Sequence, residues 1–198
     1  MSRAGGHYYK PVQGPRRRFV VPFNYRGYAL EFVSYEGLFS RDEVDAGTEL
    51  LLEHAVVPES GVVLDVGCGY GIIGISIAKA FPNVKVYMTD VNPLAVEAAR
   101  QNAKRNGVSE RVFVMQGDRY EPVKGMKFDA IFSNPPLAAG MEIVRDIVLG
   151  ARDYLAPGGH AQFVLAKGGE RLAAEASRTY SAVEMLKKKS YILLTLRP

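Results

Sequence analysis

The run Val62-Val63-Leu64-Asp65-Val66-Gly67-Cys68-Gly69-Tyr70-Gly71-Ile72-Ile73-Gly74 decides the fold. Residues 62–66, apolar apart from one acid, read as a buried strand, and an apolar stretch of helical spacing runs from 71 to 80. Between them three alternate glycines, Gly67, Gly69 and Gly71, allow a ligand to lie directly against the backbone. Strand, glycine-rich turn and helix in that order make the first unit of an open parallel α/β sheet. Such a sheet carries its ligands at the carboxyl ends of its strands.

The alternation continues outward from this unit. Strands are expected at 85–89, 112–116, 129–133 and 160–166, and helices at 93–106, 142–155 and 169–180, with Pro157-Gly158-Gly159 closing the second of these helices. The end of the chain reads as two strands, 181–184 and 190–196, around Lys187-Lys188-Lys189. Upstream, 28–35 (YALEFVSY) reads as a strand and 46–56 as an amphipathic helix, while 1–27 read as a mostly irregular basic, aromatic extension with a short strand at 19–21. Two parts are therefore expected: the extension 1–27 and a single domain over 28–198.

With 198 residues, 47% of them hydrophobic, there is material for one large core. The single cysteine, Cys68, forbids an intrachain disulfide and gives no sign of an oxidising compartment. No apolar run approaches membrane-spanning length, and the first residues lack the apolar core of a secretory signal. A cytoplasmic protein with no membrane partner is expected. The net charge of +4 is uneven: residues 1–28 carry six Lys or Arg and no acid, 29–170 carry 13 basic and 19 acidic side chains, and 171–198 carry six and two. Basic ends suit a polyanion such as RNA, and an acidic middle suits a cationic ligand.

Gly69-x-Gly71-x-x-Gly74 formally fits a dinucleotide fingerprint, but the register does not: Asp65 and Gly67 already occupy the turn where a pyrophosphate would rest. A carboxylate there repels a pyrophosphate and attracts a ligand bearing ammonium and sulfonium charges. Asp65-x-Gly67-x-Gly69-x-Gly71 resembles the first motif of the class I methyltransferases, whose methyl donor is S-adenosyl-L-methionine. That resemblance implies a Rossmann-like α/β fold: a seven-stranded, mostly parallel sheet with helices on both faces and a C-terminal antiparallel strand. It implies a cofactor site made of Asp65, Gly67, Cys68, Gly69, Gly71, Asp90, Val91 and Asp118. Asp90 ends the second strand, where a two-oxygen acceptor can take both ribose hydroxyls, as it would for a nicotinamide cofactor too. Asp118 ends the third strand, where the superfamily meets the adenine amine. The alternative for either acid is a helix N-cap.

At the end of the fourth strand stands Ser133-Asn134-Pro135-Pro136-Leu137. Proline pushes the residue before it out of the helical region, so Asn134 is held extended. The motif resembles the (D/N/S)-P-P-(Y/F/W) signature of methyltransferases acting on planar amino groups of bases or glutamine side chains. In that chemistry the Asn134 carboxamide oxygen and the Pro135 carbonyl accept the two N–H of the amine and turn its lone pair toward the methyl group. Pro136 and Leu137 then border the substrate, with Leu137 where an aromatic is usual.

Gly37-Leu38-Phe39-Ser40-Arg41-Asp42-Glu43-Val44-Asp45-Ala46-Gly47-Thr48 resembles the G-V-F-S-x-x-x-x-D-x-G-(S/T) segment of the small-subunit ribosomal RNA guanine-N2 methyltransferases of the C type, with their MTS domain. The likeness covers about residues 28–198. His7-Tyr8-Tyr9 is similar to compact archaeal members, and the larger bacterial enzymes carry an additional N-terminal domain. The resemblance implies ribosomal RNA or a ribosomal subunit as partner, Phe39 near the target base, and Asp45 and Thr48 near the methionine end of the cofactor. Phe39 reads equally as a core residue, and Thr48 as part of a helix start. Arg16, Arg17 and Arg18, with Lys187 to Lys189, are expected to flank the mouth and hold RNA. Two alternatives remain: a glutamine methyltransferase of the release-factor type, and a non-catalytic RNA-binding module on the same fold. Cys68 reads as a packing residue, no metal spacing is present, and the three histidines carry no assignment.

Overall fold

The computed structural model describes residues 16–135, 138 and 140–198; His7, Tyr8, Tyr9, Pro136 and Leu137 lie outside them. Strands β3 (Gly61–Val66), β4 (Val84–Asp90), β5 (Val112–Gln116), β6 (Phe128–Ser133), β7 (Leu155–Leu165), β8 (Ala182–Lys188) and β9 (Tyr191–Arg197) form one sheet in the order β5-β4-β3-β6-β7-β9-β8. The first five run parallel, β9 is antiparallel to β7, and β8 is antiparallel to β9. This is the seven-stranded, mostly parallel sheet that the glycine motif implies.

Alternate side chains of the buried strands serve two cores. Val63, Ala130 and Phe132 join one cluster with α1 (Ala46–Glu53), α2 (Ile72–Ala80) and α3 (Pro93–Arg105). Leu64, Ile131 and Phe163 join the other, with α4 (Met141–Gly150) and α5 (Gly169–Ala176). A period of two with both faces covered is why these strands read as continuous apolar runs.

Strand β1 (Arg18–Tyr25) pairs antiparallel with β2 (Tyr28–Tyr35) as a separate two-stranded sheet, longer than the short 19–21 strand expected. Its two-residue turn, Arg26 at φ 50° and Gly27 at φ 84°, has the left-handed geometry that matches strand twist. The other edge of β2 is occupied by side chains. Asn102 of α3 accepts from Val33 N (2.8 Å) and donates to Val33 O (2.9 Å), and Asn106, one turn on, does the same with Glu31 (3.1 and 3.0 Å). These carboxamides mimic a third strand and dock the hairpin on α3.

Further boundaries differ from expectation: α1 ends at Glu53 and α5 at Ala176, three and four residues before the ends expected. Helix α4 stops at Gly150, followed by a 3₁₀ turn Ala151–Tyr154, and β7 begins at Leu155, so Pro157-Gly158-Gly159 lies inside a strand. The register against β6 shifts there, and a Cβ on Gly159 would stand 2.9 Å from the Phe128 carbonyl oxygen. The glycine serves close backbone approach at a bulge, where a helix stop was expected. Lys187 and Lys188 belong to β8, and the turn to β9 is made at Lys189 and Ser190.

Candidate active site

The carboxyl ends of β3, β4 and β6 bring the predicted residues to one edge of the sheet. Gly67 (φ 70°), Gly69 (φ 56°) and Gly71 (φ 100°) all take left-handed backbone conformations. Their roles divide. A Cβ on Gly67 or Gly69 would meet no described atom within 4 Å, whereas one on Gly71 would stand 2.6 Å from Ile75 Cδ1. The first two keep an open floor above the backbone, and the third permits tight packing of α2. The amides of Gly67 and Cys68 both donate to Thr89 O (2.8 and 3.0 Å), and Gly69 N donates to Asp90 Oδ2 (2.8 Å), which fastens the loop to the end of β4.

Asp65 is 1% exposed. Its Oδ2 accepts from Gly74 N (2.9 Å) at the start of α2, and its Oδ1 has no partner. Burial, with Asp90 nearby, pushes its pKa up to about 7. An orphaned, buried acceptor beside an open glycine floor fits a cationic ligand group, such as the ammonium of S-adenosylmethionine. Burial also raises the pKa of Asp90, whose other oxygen accepts from Asn92 N (2.8 Å), so its rotamer is fixed by two amides. Beside it Val91 is 46% exposed, an apolar surface at the rim. Asp118 is exposed, and both its oxygens accept from Arg119 (3.1 and 2.7 Å), which also pairs with Asp146 of α4. Cys68 is buried, and burial pushes its thiol pKa well up, so it packs as a small apolar residue.

Asn134 is half-buried at the end of β6, and Pro135 is buried. Ser133 Oγ donates to Val66 O (2.6 Å), holding the ends of β6 and β3 together beyond their last ladder pair, Asp65 with Phe132. The Asn134 carboxamide nitrogen donates to Asp45 Oδ2 (2.8 Å) and Thr48 Oγ1 (3.0 Å). Asp45 is the N-cap of α1, accepting from Gly47 N and Thr48 N (2.9 and 3.1 Å). In this structure Asp45 and Thr48 thus grip Asn134, where the sequence resemblance assigned them to the methionine end of the cofactor.

Phe39 is 66% exposed, which removes it from the core. Its loop is tied to the glycine turn by Tyr70, whose hydroxyl donates to Ser40 O (2.7 Å). The loop is tied to the hairpin by Arg41, which lies over the Phe19 ring at 5.3 Å, with Arg17 over the same ring at 5.1 Å. Arg17 and Arg18 are exposed and Arg16 is half-buried. Lys187 is paired with Glu170 and Lys188 with Glu53, so two of the three lysines expected to hold RNA are engaged within the fold. Among the described residues no group of three or more His, Cys, Asp or Glu is placed to hold a metal. Tyr70, between two motif glycines, and Tyr191, in an ordinary strand, carry no sequence signal for the contacts they make.

Comparison with known proteins gives the same family as the motifs. The model of the methyltransferase small domain matches residues 29–194. An uncharacterised Bacillus subtilis protein, YbxB, is 35% identical over 195 residues, covering 95% of this chain and 96% of its own length. Ribosomal RNA small subunit methyltransferase C of Haemophilus influenzae is 38% identical over 139 residues, covering 68% of this chain; the alignment spans only 41% of that enzyme. A Thermus thermophilus 16S rRNA N2 methyltransferase, solved with AdoMet and guanosine, shares the fold with a TM-score of 0.80 at 24% identity, covering 95% of this chain and 52% of that one. By its sequence match and its architecture, the chain belongs to the methyltransferase small domain family.

Proposed function

We propose that this protein is an S-adenosylmethionine-dependent RNA methyltransferase that modifies the exocyclic N2 amine of a guanine in small-subunit ribosomal RNA. The observation that carries the reading is Asn134: its carboxamide nitrogen is spent on Asp45 and Thr48, which turns its oxygen away from them, and among the described residues that oxygen has no hydrogen-bond partner. Asp65 would hold the ammonium of the cofactor, Gly67, Cys68 and Gly69 its body, Asp90 its ribose, and Val91 and Asp118 its adenine. When bound, the cofactor supplies an electrophilic methyl group on a sulfonium.

The chain's own residues supply orientation. An aromatic amine is a poor nucleophile while its lone pair is delocalised; two acceptors, Asn134 Oδ1 and the Pro135 carbonyl, draw its two N–H groups into one geometry and free the lone pair. Phe39, exposed on a loop anchored to the glycine turn, is available to stack on the target base, and Arg16, Arg17 and Arg18 to meet the RNA backbone. Pro136 and Leu137, which the motif resemblance assigns to the substrate side, lie outside the described residues. No described helix is long and apolar enough to cross a membrane, and a ribosomal substrate puts this work in the cytoplasm.

The test is incubation with labelled S-adenosylmethionine and deproteinised RNA from cells lacking the gene, with the modified nucleoside identified by mass spectrometry. N2-methylguanosine is the expected product. Asn134→Ala should lower kcat by about a thousandfold while cofactor affinity stays within a factor of about three, since the lost acceptor acts mainly in the transition state. Methylation of peptide glutamine alone, or an active Asn134→Ala enzyme, would overturn the reading.

A further inference from the structure

The Asp45 carboxylate is held from four directions. Its Oδ2 receives the two α1 amides and the Asn134 carboxamide, and its Oδ1 receives the hydroxyl of Tyr191 at 3.0 Å. A carboxylate only accepts hydrogen bonds, so it is the nitrogen of Asn134 that must face it and the oxygen that must point away. Asp45 therefore decides which end of the carboxamide is presented to an acceptor amine.

What fixes Asp45 in turn comes from the far end of the chain. Tyr191 is the first residue of β9, which runs antiparallel to β7, so it lies at the sheet edge where β3, β4 and β6 end. Its ring occupies space left by a glycine: a Cβ at Gly47 would stand 2.7 Å from Tyr191 Cε1 and 2.8 Å from Asp45 Oδ2. The α1 amides hold Asp45 along the helix axis, through Oδ2 alone. Tyr191 restrains Oδ1, and with it the rotation of the carboxylate plane that aims Oδ2 at Asn134.

We propose that Tyr191 is a positioning residue for methyl transfer, acting through Asp45 to hold the Asn134 carboxamide in the one orientation that offers its oxygen to the substrate. The proposal rests on the methyl-transfer reading of Asn134, and it extends that machinery to the far end of the chain. Burial and the neighbouring Asp45 carboxylate raise the tyrosine pKa, so the hydroxyl stays a donor.

Tyr191→Phe removes one oxygen and leaves the ring in place. In ¹⁵N-labelled protein, with the Asn134 side-chain amide assigned by its loss in Asn134→Ala, the two Nδ2 proton resonances should shift and broaden in Tyr191→Phe. This readout needs no substrate. With S-adenosylmethionine and ribosomal RNA, kcat should fall roughly tenfold, as for the loss of one hydrogen bond to a charged group, with KM for the cofactor unchanged. In the Asn134→Ala background the same substitution should cost nothing further. Unchanged amide resonances would overturn the proposal, as would an equal loss of rate in both backgrounds. A wild-type enzyme that transfers no methyl group to RNA would defeat the functional reading instead, while the resonance shift would still decide the role of Tyr191.

Discussion

At the proposed ammonium site, protons and the cofactor would compete for Asp65. In the folded protein without ligand its pKa stands at about 7, against an ordinary carboxylate value of 3.8. Between those values the folded state holds more protons than the unfolded one, so this residue makes stability fall as pH rises from about 4 to about 7. A bound cation favours the carboxylate and pulls the pKa down, so a proton must leave. Affinity for S-adenosylmethionine should rise with pH through this window and level off above about 7. Calorimetry near pH 6 in buffers of different ionisation enthalpy should report close to one proton released; no release would remove Asp65 from the ammonium site. Asp65, Asp90 and Asn134 were legible in the sequence because each sits at a strand end with a diagnostic neighbour. Tyr191 was not, since its partner Asp45 lies 146 positions away and Tyr191 itself stands in no pattern. Thr48 was legible as a residue of the site but not in what it holds, because its hydroxyl answers to Asn134, 86 positions on.

At the scale of elements, apolar period and turn residues gave β3 to β6, α2 and α3 within a residue of their ends. They failed where one residue type serves two purposes. Pro157-Gly158-Gly159 has the composition of a helix stop, yet Gly159 is required by a backbone contact across the sheet that only the folded register creates. The length of β1 was hidden for a similar reason: Pro22 and the flanking arginines read as irregular chain, while the strand is sustained by a partner and by α3. The dependence can be measured at Asn102, which is buried and also donates to Tyr70 O (2.8 Å). Asn102→Ala leaves the Val33 N–H and C=O unpaired in the interior and should cost about 2–4 kcal/mol of stability. Chemical denaturation measures the loss, and hydrogen exchange should localise it to the hairpin. A loss below about 0.5 kcal/mol would mean that water replaces the side chain without penalty.

Across the whole molecule the charge separation seen in the sequence is partly cancelled in space, since Lys188 pairs with Glu53 of α1 and Lys187 with Glu170. Arg17 and Arg41 meet on the Phe19 ring, two residues along the chain from the exposed Phe39 in the case of Arg41, and neither arginine is in an ion pair among the described residues. Arg17→Gln with Arg41→Gln should weaken RNA binding and flatten its salt dependence by about 0.7 in log–log slope for each phosphate no longer neutralised, leaving kcat at saturating RNA unchanged. Lys187→Gln, whose charge is already paired with Glu170, should change the slope much less. An unaltered slope in the double variant would place the RNA path elsewhere. The hairpin that carries this surface has one more property. A two-stranded sheet has two bare edges, each a template onto which another chain could add a strand. Here the β2 edge is capped by Asn102 and Asn106, and on the β1 edge Pro22, at a position whose nitrogen faces away from β2, interrupts the row of donors. The same asparagines that dock the hairpin thus keep an exposed, aromatic β-ribbon from seeding strand-to-strand self-association, so the sticky surface proposed to meet RNA is carried on an element that copies of the chain cannot readily zip together.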